Sequence, residues 1–162
     1  MARRVFFSFH YERDVWRAGQ VRNSWVTKDR EAAGFWDAAS WEEIKKKGEE
    51  SIKKWIDKQL EGTSVTAVLI GAETSGREYV DYEIEQSHKK GNGLLGIYIH
   101  NIKDNKLNTD VKGNNPFDHW YITVDGQKKF FSSIYSTYDW VNDDGYKNLG
   151  DWVEKAAKKA GK

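Results

Sequence analysis

The chain has no cysteine, one proline and one methionine. Without cysteine it can form neither a disulfide nor a thiolate metal site, and it has no thiol nucleophile. It also lacks a dominant charge: 26 basic and 25 acidic side chains leave a formal +1. No one-signed field is present to hold nucleic acid or an anionic membrane. Its apolar runs are short, well under the roughly 18 residues that a membrane span needs. Met1-Ala2-Arg3-Arg4-Val5 enters one of these runs with polar residues close on both sides, which is not the layout of a secretion signal. The expectation is a cytoplasmic protein with no nucleic-acid or membrane partner. What the chain has in quantity is aromatic residues: eight Trp, eight Tyr and seven Phe. At 162 residues the whole chain, 1–162, is expected to form one domain with a full core.

Val5-Phe6-Phe7-Ser8-Phe9, Val65–Ile70 and Leu94–Ile99 are nearly unbroken apolar segments. Runs without polar alternation suit strands covered on both faces, as in a parallel sheet between helices. Helical signals separate them. Ser40-Trp41-Glu42-Glu43 has the form of a capping box, and Ile44, Gly48, Ile52, Trp55, Ile56 and Leu60 follow at helical spacing up to Gly62. Ser75-Gly76-Arg77-Glu78 has the same form and opens a helix that buries Val80 and Ile84 and ends near Gly91. Leu149, Trp152, Val153, Ala156, Ala157 and Ala160 mark a last amphipathic helix. A further helix is expected around Asp14–Ser24, with a short edge strand before Gly34. Tyr121–Val124 and Gln127–Phe131 flank Asp125-Gly126 as a hairpin, and a final strand is expected near Ile134–Trp140. Strands alternating with helices across short links predict an α/β fold, a doubly wound, mostly parallel sheet with helices on both faces.

Two chemical signals fail on context. Gly91-Asn92-Gly93-Leu94-Leu95-Gly96 satisfies G-x-G-x-x-G but follows a helix and opens a strand, the reverse of a dinucleotide-binding turn. A receiver domain would need carboxylates after the first and third strands, where this chain has Ser8-Phe9-His10-Tyr11 and Gly71-Ala72. A flavin-binding flavodoxin would need a Ser/Thr-rich phosphate loop after the first strand, and none is there. The four histidines have no metal-ligand spacing, so no metal is expected; His10 and His100, at strand ends, read as solvent-facing loop residues. What remains is the carboxyl edge of the sheet, where open α/β folds bind ligands. It gathers Ser8–Asp14, Gly34–Ala38 and Thr74–Arg77. Spacing puts Val80, Ile84 and Ser87 on the core side of their helix and Glu83 one position round, toward the crevice. On spacing alone the simpler reading of Glu83 is a solvated acid beside Lys89 and Lys90.

Arg4-Val5-Phe6-Phe7-Ser8-Phe9-His10-Tyr11 resembles the opening strand and loop of Toll/interleukin-1 receptor (TIR) domains. Tyr79-Val80-Asp81-Tyr82-Glu83-Ile84 resembles the segment that carries the catalytic glutamate of NAD-cleaving TIR enzymes, with Tyr79 and Val80 where those have Trp and Cys. With Asn115-Pro116-Phe117 and Tyr138-Asp139-Trp140, the chain is similar to the bacterial and archaeal TIR-like family that includes the TIR subunit of the Thoeris anti-phage defence system. The resemblance implies a flavodoxin-like fold and cleavage of the nicotinamide–ribose bond of NAD, with NAD as substrate and no separate cofactor. It implies a cyclic ADP-ribose-type product that signals to a separate effector. It assigns Glu83 the catalytic role, holding the ribose hydroxyls and stabilising oxocarbenium character. Phe9, Tyr11 and Trp36 are candidates to hold the rings by stacking, and Ser8, His10 and Asp37 are placed at the site by their position on the crevice. Many TIR enzymes complete their site by self-association, so a partner is expected to be a second copy or another TIR domain. The alternative is a TIR-like interaction module without catalysis, suited to the aromatic excess.

Overall fold

The computed structural model describes residues 3–28, 30–32 and 38–162, with only the backbone course of 38–40. Strand β1 (Val5–Ser8) pairs in parallel with β2 (Val65–Ile70), β2 with β3 (Gly93–Tyr98), and β3 with β6 (Thr137–Asp139). Every residue of β1 and β2 is buried, which is why their sequences show no polar alternation. Of the edge strand expected before Gly34, the described residues include one parallel bridge, Val5 to Ala32. Counting that bridge, the order across the sheet is second, first, third, fourth, fifth, the flavodoxin order. This bears out the expected α/β, doubly wound fold.

Helices α1 (Val15–Val26) and α6 (Gly145–Lys159) pack against each other, with α6 against β2 and β3. Helix α3 (Glu49–Leu60) packs on α4 (Glu78–Lys90), and α4 lies across β1, β2 and β3. The last helix follows its pattern: Leu149, Trp152, Val153 and Ala157 are buried, and Trp152 stacks on Tyr138 of β6 at 4.2 Å between ring centroids. Only Ala160 of that stripe falls outside it, exposed at the frayed end.

The region before β2 departs from expectation. One continuous helix was predicted from the first capping box to Leu60. The chain instead forms α2 (Ala38–Lys45), breaks, and restarts as α3. Gly48 sits at φ 94°, outside the range of any right-handed helix, and this backbone turn ends the continuous stripe. Helix α2 begins at Ala38, so Ser40 falls inside its first turn and not at the cap. The second box also does not cap: α4 starts at Glu78 with no side-chain cap bond, and Gly91 closes it in the left-handed conformation as expected. The carboxyl-terminal third contains a 3-10 turn (Pro116–His119), the hairpin β4 (Tyr121–Val124) and β5 (Gln127–Phe130), and the single turn α5 (Phe131–Ile134). Both hairpin-turn residues, Asp125 and Gly126, have positive φ, as a two-residue turn between twisted strands requires. Among the described residues no helix is long and apolar enough to cross a membrane.

Candidate active site

Helix α4 turns one stripe, Val80, Glu83, Ile84 and Ser87, onto the sheet. Two of these four are polar, and each meets a hydroxyl from a strand. Ser87 lies 2.7 Å from Thr66 of β2, and Glu83 accepts a 2.6 Å hydrogen bond from Ser8 at the end of β1. The second oxygen of Glu83 accepts from the Tyr11 phenol. Glu83 is fully buried, so the reading of a solvated acid beside Lys89 and Lys90 is corrected: the carboxyl faces the sheet. A helical stripe is wider than the three positions that spacing marked, and Glu83 falls inside it.

Burial dominates the charge state of Glu83. Its pKa is pushed up to about 8 by desolvation, against the Ser8 and Tyr11 hydrogen bonds, which lower it. Among the described residues no charged neighbour contributes. Burial therefore favours the protonated carboxyl at neutral pH, while the two hydroxyl donors favour the ionised one. The Tyr11 phenol is driven well above its ordinary range by burial first and by Glu83 second, so it stays neutral.

Tyr11 separates Glu83 from the nearest cavity. That cavity, about 210 Å³, is lined by Phe9, His10, Tyr11, Trp41, Arg77 and Tyr79 among others, and Glu83 is not on its wall. The aromatic rings form a chain: Phe9 to Tyr11 at 4.8 Å, Tyr11 to Trp41 at 4.9 Å, Trp41 to Tyr79 at 5.9 Å. Trp41 is tied to the loop after β1 by its indole N–H, which donates to Glu12 at 3.0 Å, and Lys45 donates to the same oxygen at 2.7 Å. His10, half-buried on this wall, is held below its usual range by desolvation first and by Arg77 second. A larger cavity of about 310 Å³ opens at the other end of β3, beside the end of α6, and no carboxylate lines it. It lies away from the strand ends where α/β sheets bind ligands.

The structure thus brings Ser8, Phe9, His10, Tyr11 and Glu83 together. Phe9 is a core residue whose ring edge supports Tyr11. Trp36 and Asp37 lie outside the described residues. His100, expected to face solvent, is buried at 7 % exposure, because its backbone carbonyl pairs with Asp110 and draws the loop over it. Trp41 on the cavity wall is not among the expected site residues, and Arg77 is expected only as the end of the edge segment Thr74–Arg77; both belong to capping-box patterns, which mark helix ends and carry no signal of a site. Among the described residues no group of His, Asp or Glu is placed to hold a metal ion.

A parallel sheet in the flavodoxin order, with a carboxyl held at the end of its first strand by a neighbouring helix, defines a TIR-like α/β protein. The family model described as the TIR-like domain of the Thoeris protein ThsB matches residues 6–104, and the chain belongs to that family. A protein of Bacillus cereus (strain MSX-D12) is 40% identical over 191 aligned positions, covering 94% of this chain and 100% of the relative. The name of that protein assigns it provisionally as the cyclic ADP-D-ribose synthase ThsB1.

Proposed function

We propose that this chain is an enzyme of Thoeris anti-phage defence that breaks the nicotinamide–ribose bond of NAD and closes the ADP-ribose part into a cyclic signal. The observation that carries the reading is Glu83, buried between β1 and α4 with its two oxygens on the hydroxyls of Ser8 and Tyr11. Family membership and the name of the Bacillus cereus relative support the reaction class.

The chemistry fits these residues. As the C–N bond breaks, its electron pair leaves with the nicotinamide ring nitrogen, which becomes neutral, and positive charge moves to the anomeric carbon. Nicotinamide leaves without a proton, so no general acid is required. Glu83 would bind the ribose hydroxyls and, ionised, face the developing charge in a dry site. The nicotinamide ring of NAD is itself a cation. Its arrival beside Glu83 favours the carboxylate and lowers the pKa that burial had raised. Ser8, on the other oxygen, fixes the carboxyl orientation. Attack by water, which gives up a proton, yields linear ADP-ribose; attack by an adenine nitrogen or by a ribose hydroxyl of the substrate itself, the hydroxyl giving up its proton, yields a cyclic product. Cyclisation needs water kept out, and the Phe9–Tyr11–Trp41–Tyr79 wall is the surface suited to hold the rings. The signal would act on a separate effector, and self-association or another TIR domain would complete the assembly.

The test is to incubate concentrated protein with NAD and lysate of phage-infected cells, alongside Glu83→Gln, and resolve products by mass spectrometry. Nicotinamide release with a cyclic ADP-ribose mass, reduced at least 100-fold by Glu83→Gln, is the expected result; equal turnover by both proteins refutes the assignment. The second reading, a non-catalytic interaction module, draws on the exposed Trp16, Leu107, Val141 and Tyr146. Intact NAD together with concentration-dependent assembly would favour it.

A further inference from the structure

The carboxyl of Glu83 is unreachable as it stands. Its residue is fully buried, one oxygen is held by Ser8 and the other by Tyr11, and the Tyr11 ring stands between it and the cavity. That cavity, about 210 Å³, is smaller than the roughly 300–1,000 Å³ usual for small-molecule sites. We propose that Tyr11 is a displaceable cap, whose phenol occupies the position on Glu83 that a substrate ribose hydroxyl takes, so that the carboxyl is exposed only when the ring swings aside. The inference rests on the reading of Glu83 as the ribose-binding carboxyl.

The exchange is chemically even. A phenol O–H and a ribose O–H are both neutral single donors, so replacing one by the other leaves Glu83 with the same number of hydrogen bonds. A ligand without such a hydroxyl would leave a buried oxygen unpaired, which disfavours its binding. The ring has somewhere to go. Tyr11 belongs to the loop between β1 and α1, not to a strand, and its neighbour on the cavity side, Trp41, comes from the short helix α2. Ser8, by contrast, is fixed in β1 by its pairing with β2, so it is the permanent partner and Tyr11 the exchangeable one. Displacement would join the cavity to the space around Glu83 and enlarge it toward substrate size.

The experiment compares wild type, Tyr11→Phe and Tyr11→Ala by following the side-chain carboxyl of Glu83 in 13C NMR across pH, without NAD, using Glu83→Gln to assign the signal. Removing only the phenol deletes a bond that favours the ionised form, so Tyr11→Phe moves the Glu83 midpoint above the wild-type value of about 8. Removing the ring admits water, so Tyr11→Ala moves it down toward the ordinary 4.5. Opposite shifts show that the phenol bonds Glu83 and that the ring keeps water from it, as a cap requires; movement of the cap is read from ligand binding. A midpoint in Tyr11→Ala unchanged from wild type overturns the proposal. In wild type, a carbocyclic NAD analogue, which keeps the ribose-like hydroxyls but cannot form an oxocarbenium ion, should shift the ring signals of Tyr11, and silence there overturns the proposal. Because these readouts need no turnover, they stand apart from the catalytic role: normal NAD cleavage by Glu83→Gln would refute that role and leave the cap to be judged by the NMR alone.

Discussion

Raising the pH should loosen this protein through one buried group. Glu83 titrates near 8 in the fold and near 4.5 when unfolded, because burial penalises its charged form. Between those values the folded state holds a proton that the unfolded chain has released, so stability is full below pH 4.5 and falls as pH rises to 8. At about 1.4 kcal/mol per pH unit of difference, integration from pH 5 to pH 9 gives a loss of about 4 kcal/mol. Glu83→Gln removes the titration and keeps the shape. The assay is urea unfolding of both proteins at intervals from pH 5 to 9, with the difference curve isolating Glu83 from every other titrating group. Glutamine should gain steadily on glutamate up to about pH 8 and then level, and thermal unfolding of the same pair should show a separation in Tm of roughly 8–16 °C for a domain of this size. A flat difference curve would mean that Glu83 is solvated or paired with a cation, and the burial argument would fail.

Asp14 offers a smaller version of the same effect: it is buried with one oxygen unpartnered and titrates near 6, so Asp14→Asn should gain on wild type between about pH 4 and 6 in the same assay. Gly113→Ala should lower stability by about 1–3 kcal/mol in urea unfolding, because a Cβ there would stand 2.1 Å from the Gly71 carbonyl, and backbone cannot give way as a side chain can. Leu107 is 76% exposed and held at φ 66°, so Leu107→Gly should raise the stability in urea unfolding by about 0.5–1 kcal/mol, and a loss would show that the side chain is not idle.

Much of the framework was legible because it rests on local rules. Val65–Ile70 reads as a buried strand since six apolar or β-branched residues in succession can be covered only from both faces. The last helix reads from its stripe because side chains three and four apart share a face. Gly91 ends α4 because a left-handed residue cannot continue a helix, and the same conformational freedom at Gly48 divided the helix that its apolar stripe made look continuous. The two capping boxes misled because a box names residue types and not the backbone geometry that lets a side chain turn back on its own helix.

The site divides in the same way. The sequence alone determined that a carboxylate at position 83 lies in a helix following Val65–Ile70, and that Ser8 lies in the first apolar run with Tyr11 just after it. Only the tertiary structure decided that these three meet, that Glu83 is buried rather than solvated, and that Tyr11 stands over it with Trp41 behind. The physical reason is separation along the chain: Ser8 and Glu83 are 75 positions apart and Tyr11 and Glu83 are 72 apart, and no periodicity reaches that far. Packing α4 across β1 is what closes those distances. It also removes the water, turning an ordinary glutamate into a group that keeps its proton at neutral pH.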